Sequence, residues 1–225
     1  MTKLPEKPLI LWDIDGTMIR SNGAGARSFF QAFKQVYRLS SLNTDVSFAG
    51  GVDRAIFNEL CRINRLEIHQ SVWDEFIGIY ISFLLKEAAD LSNWELLPGV
   101  KALLESCRNR YCFGLLTGNI RQGAFIKLKI FDLDPYFHTG GFGDEITDRT
   151  QLSRVALDNC MAHFGITFNP EQITIIGDTT KDIECARELQ CTCYVVTTGY
   201  IPYEVLAESK PDKIVNNLME LYEIL

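Results

Sequence analysis

Short apolar segments alternate with helical patterns along most of this 225-residue chain. Each segment is almost continuously apolar, which is typical of parallel strands that are covered on both faces. The strand candidates are Leu9–Ile14, Cys112–Leu116, Ile173–Ile176 and Cys193–Thr197, with a weaker one at Phe137–Gly140. The helical patterns between them are Val100–Arg108, Gln122–Ile130, Leu152–Phe164 and Lys181–Leu189. This alternation predicts an α/β fold with an open parallel sheet and right-handed crossovers.

One long stretch, from about residue 20 to residue 94, interrupts the alternation because it contains no convincing strand. Its three helical patterns are Gly25–Tyr37, Arg54–Asn64 and Ser71–Ala89. Within the last pattern, apolar residues recur at helical spacing. We therefore predict a core domain formed by residues 1–19 and 95–225, and a small all-α cap domain, residues 20–94, inserted after strand one.

Composition and charge narrow the possible partners. The formal net charge of −7 argues against nucleic-acid binding, because proteins that bind nucleic acid usually carry a basic face. No apolar run approaches the roughly 20 residues of a membrane span, so we expect no membrane partner. The seven cysteines, an odd number scattered over apolar segments, indicate free thiols in a reducing compartment, which predicts a cytoplasmic protein. No feature of the sequence indicates an oligomeric state.

The first strand candidate ends in two closely spaced acids, Asp13 and Asp15, followed by Gly16-Thr17. Side chains two residues apart on a strand point the same way, so the two carboxylates share one face. Like charges in such proximity are costly unless a cation compensates for them. The Gly-Thr turn adds exposed amides and a hydroxyl, which suit an anion. The segment therefore predicts a site that combines acid chemistry, a cation and phosphate.

Two other predicted strands also end in polar clusters. Thr117-Gly118-Asn119 follows the second strand, and Gly177-Asp178 follows the fourth, with Asp182 four residues further at a helix start. In open α/β sheets, ligands bind beyond the carboxyl ends of the strands. We therefore expect these separate clusters to meet at one edge of the sheet.

These motifs, in this order, resemble those of the haloacid dehalogenase-like hydrolase superfamily. The motifs are Asp-x-Asp-Gly-Thr after strand one, Thr-Gly-Asn after strand two and Gly-Asp-x-x-x-Asp after strand four. The resemblance extends over nearly the whole chain, and the Leu-Pro-Gly-Val entry to the core is similar to the phosphoglycolate phosphatase-like branch. It implies a Rossmann-like sheet with a helical cap and a phosphatase that acts on a small phosphorylated metabolite such as phosphoglycolate.

The resemblance also implies roles for the acids. Asp13 matches the family nucleophile, which forms a transient aspartyl-phosphate. Asp15 matches the general acid/base, a group that the dehalogenases of the superfamily lack. The expected cofactor is Mg²⁺, held by Asp13, Asp178 and the main-chain carbonyl of Asp15. Asp182 is expected to lie behind these ligands and to orient a bound water or a basic side chain.

The remaining implied roles concern phosphate and substrate. Thr117, Gly118 and Asn119 match the phosphate-binding second motif. The third motif requires a basic residue before a helix, but the usual Lys-Pro is absent; Arg149 is our choice, with Arg154 as the alternative. The cap segment that ends in Asp53-Arg54 resembles the cap loop that faces the active site, and Arg54 is predicted to contact substrate.

Two alternative functions stay open at this point. A sugar phosphomutase of the beta-phosphoglucomutase kind shares the same motifs and returns the phosphate to substrate. A receiver-type phospho-aspartate switch also combines an α/β fold, clustered acids and Mg²⁺. Receivers, however, are about half this length and lack a helical insert after strand one.

Overall fold

The computed structural model describes residues 7–144 and 146–225. Its larger sheet has six parallel strands in the order β5-β4-β1-β6-β7-β8, and β2 and β3 form a separate antiparallel ribbon. The strands are β1 (Leu9–Trp12), β2 (Ile19–Arg20), β3 (Glu95–Leu96), β4 (Cys112–Leu116), β5 (Gly140–Gly141), β6 (Ile173–Gly177), β7 (Thr192–Val196) and β8 (Lys213–Val215). This confirms the predicted α/β class with an open, Rossmann-like parallel sheet.

Eight α-helices accompany these strands in the described part of the chain. They are α1 (Ala24–Val36), α2 (Asp53–Ile63), α3 (Gln70–Ala88), α4 (Val100–Cys107), α5 (Arg121–Lys129), α6 (Arg149–Phe164), α7 (Thr180–Leu189) and α8 (Tyr203–Glu208). Helices α1, α2 and α3 lie between β2 and β3, which agrees with a helical cap inserted after strand one.

The central strand β1 shows why the strand candidates are apolar throughout. Its four residues are fully buried. Leu9 and Leu11 pack into one apolar cluster, whereas Ile10 and Trp12 pack into the other. Because side chains alternate between the two faces of a strand, a sheet covered on both faces needs apolar residues at every position.

The cap helices pack around a cluster of aromatic side chains. Phe76 of α3 contacts Phe29 of α1 with 4.7 Å between ring centroids and Phe57 of α2 with 5.0 Å. Tyr80 stacks on Phe76 at 5.8 Å. Offset and edge-on ring pairs of this kind add stabilisation beyond the burial of apolar area.

The ribbon of β2 and β3 joins the two ends of the helical segment. Ile19 pairs with Leu96, and Arg20 pairs with Glu95. The ribbon therefore lies where the sequence predicts the boundary between residues 1–19 and 95–225 on one side and residues 20–94 on the other. The division into two domains at these positions stays a prediction.

The structure differs from the predicted elements in short segments. The weak strand candidate at Phe137–Gly140 is displaced, because β5 is only Gly140–Gly141. The ribbon strands have two residues each, and β8 has three. Segments this short carry no readable periodicity.

Two further expectations concern the thiols and the membrane. All seven cysteines are free thiols, as the sequence predicted. In the described ranges, 7–144 and 146–225, no helix is both long and apolar enough to cross a bilayer.

Candidate functional site

Three buried aspartates meet at the carboxyl edge of the sheet. Asp13 follows β1 and Asp178 follows β6, and these strands are parallel neighbours, so their ends lie side by side. Asp182 of α7 completes the group, and one carboxylate oxygen from each residue lies within 4.8 Å of the others. The three residues are 6%, 3% and 0% exposed, so their charges are almost fully removed from water.

This burial has a strong electrostatic effect. The pKa of Asp13 is raised to about 7, mainly by burial and further by the charges of Asp182 and Asp15. The nearby Arg149 guanidinium acts in the opposite direction and lowers it. Burial and the charge of Asp13 raise the pKa of Asp178 well above its ordinary value. Asp13 and Asp178 therefore lack the nearby positive charge that would stabilise both carboxylates in their ionised forms.

Arg149 is the basic residue that the structure places against these acids. Its Nη2 donates hydrogen bonds to Asp13 Oδ1 at 3.0 Å, Asp182 Oδ1 at 2.9 Å and the carbonyl of Leu116 at 3.2 Å. It is the first residue of α6, whose start is capped by the side chain of Asp148. The guanidinium Nε is buried and has no hydrogen-bond partner among the described residues. The Arg149 guanidinium itself lines the cavity, so a ligand there can reach it through its terminal nitrogens rather than through the buried Nε.

The alternative basic residue, Arg154, lies elsewhere. It is on the exposed side of α6, with 69% of its side chain accessible, and pairs with Glu188 of α7. The sequence could not separate the two arginines, because both are close to the start of the same helix.

Asp15 is held by a buried lysine that sequence reasoning missed. Lys127 Nζ of α5 lies 2.8 Å from Asp15 Oδ1, 2.6 Å from Asp15 Oδ2 and 2.6 Å from Asn119 Oδ1. Asn119 Nδ2 in turn donates to Asp15 Oδ2 at 2.7 Å. A signal was present, because Lys127 lies on the buried face of α5 with Ala124 and Leu128, where a charged residue needs a partner.

The second predicted motif lies between these two groups. Thr117 is 1% exposed, and its backbone N–H donates to the Gly141 carbonyl at 3.2 Å. Its hydroxyl oxygen accepts a hydrogen bond from Asn119 Nδ2 at 2.7 Å. Asn119 thus links the loop after β4 to Asp15 and Lys127.

Asp182 has a supporting position. Its Oδ2 accepts hydrogen bonds from the backbone N–H of Thr179 at 3.0 Å and from the Thr179 hydroxyl at 2.8 Å. Its Oδ1 is bound by Arg149. Both oxygens are therefore already engaged, which agrees with a role in orienting a basic side chain.

The start of α2 lies directly against the core. The backbone N–H groups of Asp53 and Arg54 donate to the carbonyls of Gly118 and Gly143 at 2.8 and 3.2 Å. The Asp53 carboxylate accepts a hydrogen bond from the backbone N–H of Ile120 at 2.9 Å. At Gly118 the approach is so close that an added Cβ would lie 1.7 Å from the Gly51 carbonyl oxygen. The cap thus closes over the second motif.

Arg54 corrects one prediction, because its side chain does not line the cavity. Its guanidinium carbon lies 4.8 Å from the ring centroid of Trp73, and its Nη2 donates to Gln70 Oε1 at 3.1 Å. The same cap segment lines the cavity through residues 48–51 and through Asp53, the residue before Arg54. Adjacent residues on a helix point about 100° apart, so they rarely face the same site.

A cavity of about 260 Å³ lies between the cap and the core. The predicted site residues that line it are Asp13, Asp15, Thr117, Gly118, Asn119, Arg149 and Asp178. Lys127 and Asp53 line it as well, although the sequence did not single out either as a ligand-binding residue. The motifs therefore meet around one space that is large enough for a small molecule.

Comparison with known proteins gives a consistent result. The family model for haloacid dehalogenase-like hydrolases matches residues 10–196. A phosphoglycolate phosphatase from Nitrosococcus oceani is 25% identical over 228 residues, which cover 100% of this chain and 98% of the relative. A second phosphoglycolate phosphatase, from Photorhabdus laumondii, is 25% identical over 94% of this chain and 89% of its own length.

The fold has a similar counterpart among solved structures. The crystal structure of a predicted phosphoglycolate phosphatase from Haemophilus somnus superposes with a TM-score of 0.70 at 24% identity, and 97% of each chain is covered. At this identity the likeness shows the fold alone. Together with the family match, it confirms the resemblance from which the sequence motifs were interpreted. The chain belongs to the haloacid dehalogenase-like hydrolase family and is an enzyme, and its relatives place it in the phosphoglycolate phosphatase-like branch.

Proposed function

We propose that this protein is a Mg²⁺-dependent phosphomonoester hydrolase that acts on a small phosphorylated metabolite through an aspartyl-phosphate on Asp13. One observation carries the proposal. The carboxylate of Asp13 lies in the cavity beside Asp178 and beside the guanidinium of Arg149, which lines the same cavity. A carboxylate nucleophile, a second acid that could share a cation with it and a guanidinium that can bind phosphate thus line the same cavity.

The donor set fits a divalent cation. Asp13 and Asp178 both resist ionisation because they are buried next to each other, so a bound cation would stabilise their charged forms. Mg²⁺ takes oxygen ligands and needs few protein carboxylates, because it retains several waters. The carboxylates of Asp13 and Asp178 and the main-chain carbonyl of Asp15 would hold it. When bound, it would offset the repulsion between the Asp13 carboxylate and an anionic phosphate.

Asp13 and Arg149 act on the phosphoryl group. An Asp13 oxygen attacks phosphorus, and the bond from phosphorus to the leaving oxygen breaks. Arg149 binds the equatorial phosphate oxygens through the guanidinium donors that the acids leave free, and Asp182 holds the guanidinium in place. Thr117 and the backbone of Gly118 complete the phosphate contacts.

We assign the proton transfers to Asp15, because it lines the cavity and 38% of its side chain stays accessible. It gives a proton to the leaving oxygen in the first transfer. It then takes a proton from the water that attacks the aspartyl-phosphate, and inorganic phosphate is released. The cap excludes bulk water during both transfers.

The test uses Asp13→Asn and Asp178→Asn, with Asp158→Asn as a control for the same charge change at an exposed position of α6. We expect the first two variants to lose at least a hundredfold of the Mg²⁺-dependent hydrolysis of p-nitrophenyl phosphate, and the control to keep it. Mg²⁺ should raise the melting temperature of the wild type but not that of Asp178→Asn. Activity close to wild type in Asp13→Asn would overturn the nucleophile assignment.

A panel of phosphorylated metabolites then defines the substrate. The names of the relatives make 2-phosphoglycolate the first ester to assay. Release of inorganic phosphate supports a hydrolase. Transfer of phosphate within a sugar phosphate, without net release, would instead support the mutase alternative.

A further inference from the structure

The part of the cavity that belongs to the cap is lined by apolar side chains, by the hydroxyl-bearing Ser21 and Tyr80, and by one acid. Phe48, Ile56 and Tyr80 line this part of the cavity, and Asp53 contributes its carboxylate. Asp53 is 6% exposed, and one of its oxygens accepts the Ile120 hydrogen bond at 2.9 Å. A carboxylate has two oxygens and about four acceptor positions, so this contact leaves acceptor capacity for a ligand.

The cavity has no spare cation for a second anionic group. Among the described residues that line it, the cationic side chains are Arg149 and Lys127. Arg149 is bound to Asp13 and Asp182, and Lys127 contacts both oxygens of Asp15. Arg54, the arginine of the cap segment, packs over Trp73 and is not among the described residues that line the cavity.

The same surroundings disfavour added negative charge. Burial is the largest cause that raises the pKa of Asp53, to about 7, and the charges of Asp15 and Asp144 add to it, against the lowering effect of Lys127. A substrate carboxylate next to Asp53 would be desolvated by the same walls and repelled by the same acids. It would also have to compete with Asp15 for Lys127.

We infer that the substrate is a phosphomonoester whose leaving group carries a hydroxyl or ammonium donor and no carboxylate, and that Asp53 is the specificity-determining residue that accepts its hydrogen bond. This inference rests on the proposed hydrolase function. It separates the chain from its relatives, whose name specifies phosphoglycolate. It also adds a ligand contact that the sequence motifs did not include.

Three esters of almost equal size test the inference. They are 2-phosphoglycolate, 2-hydroxyethyl phosphate and O-phosphoethanolamine, which place a carboxylate, a hydroxyl and an ammonium at the same distance from phosphorus. We expect wild-type kcat/KM for the hydroxyl and ammonium esters to exceed that for 2-phosphoglycolate at least tenfold. Equal or faster turnover of 2-phosphoglycolate would overturn the inference.

The Asp53→Asn variant tests whether Asp53 determines the substrate preference. Asparagine retains an oxygen acceptor for the Ile120 N–H but removes the charge. We expect this variant to reduce the preference for phosphoethanolamine over 2-phosphoglycolate at least fivefold. Asp158→Asn, the exposed control, should leave the preference unchanged. If Asp53→Asn has the same preference as the wild type, the assignment of Asp53 is wrong.

The outcome also distinguishes this inference from the function on which it rests. If the wild type cleaves p-nitrophenyl phosphate and prefers 2-phosphoglycolate, the hydrolase proposal holds and only the inference fails. If no ester, including p-nitrophenyl phosphate, is cleaved with Mg²⁺ present, the hydrolase proposal fails and the inference fails with it.

Discussion

The ammonium group of Lys127 lies 2.8 and 2.6 Å from the two carboxylate oxygens of Asp15, although the residues are 112 positions apart in the chain. The lysine side chain is 4% exposed and the aspartate side chain 38% exposed. The pair therefore joins a buried donor on α5 to an acid that still reaches the cavity. Because both oxygens are engaged, Lys127 fixes the orientation of the group to which we assign proton transfer.

Lys127→Met should therefore impair catalysis. Methionine fills a similar volume but does not hold Asp15 or Asn119, so we expect kcat for p-nitrophenyl phosphate to fall at least tenfold, within the range that positioned acid–base groups contribute. Since Asp15 is partly exposed, water can solvate it, and the melting temperature should change by only a few degrees. The matched control is Lys129→Met, at an exposed position of the same helix. Equal kcat in the two variants would contradict a positioning role for Lys127.

The sheet and the meeting of the acids follow from the sequence, whereas this ion pair does not. Asp13 and Asp178 follow two neighbouring parallel strands. The carboxyl ends of such strands lie side by side, and this does not depend on the conformation of the loops. Lys127 lies within a helix, and the partner of a helical residue depends on the packing angle of that helix. Sequence patterning shows only that Lys127 shares a face with apolar residues.

The Arg54 prediction failed for a related reason. The motif located the segment of the cap that touches the core, but a turn of about 100° per residue decides which side chain enters the cavity. The aromatic ring of Trp73, from a different helix, binds the Arg54 guanidinium. Contacts between helices that are distant in sequence are not encoded in local spacing.

Arg149→Lys should separate charge from geometry at the phosphate site. Lysine keeps a positive charge near Asp13 and Asp182 but lacks the forked donors of arginine. We expect hydrolysis of p-nitrophenyl phosphate to fall by about 10²-fold, the scale for removing one oriented donor from a developing charge. Arg154→Lys, on the exposed side of the same helix, should stay within twofold of wild type. A similar loss in both variants would show that Arg149 acts through the stability of α6.

Gly118→Ala should disturb the contact between the cap and the core. The new Cβ would lie 1.7 Å from the Gly51 carbonyl oxygen, so either the cap loop or the loop after β4 must move. We expect a lower melting temperature together with at least a tenfold loss of kcat/KM. Gly78→Ala is the opposite case, because an added Cβ at this helical position meets nothing within 4 Å. That variant should gain about 0.5–1 kcal/mol of stability and retain activity.

Asp53→Asn should change the pH dependence of folding. The folded-state pKa of Asp53 is about 7, against an ordinary value of 3.8, because burial disfavours its charge. The folded protein therefore holds this proton more tightly than the unfolded chain. The protonated Asp53 side chain contributes its full stabilising effect below about pH 4. This contribution to the free energy of unfolding, about 4 kcal/mol in total, is lost as the pH rises to 7. Asparagine does not titrate, so the variant avoids this loss.

Urea unfolding at pH 5 and pH 8 measures the effect, in buffer with a chelator so that metal binding does not contribute. The free energy of unfolding of Asp53→Asn, relative to wild type, should rise between the two pH values by up to about 3 kcal/mol, because part of the titration lies below pH 5. The other groups that act on Asp53 are Lys127 of α5, Asp15 and Asp144 of the core loops and Tyr80 of α3, and all of them are present in both proteins. Asp158→Asn should show no such rise. The difference in the free energy of unfolding between Asp53→Asn and wild type could instead be the same at both pH values. This result would mean that the Asp53 carboxyl titrates normally and that water hydrates the cap side of the cavity more than its lining indicates.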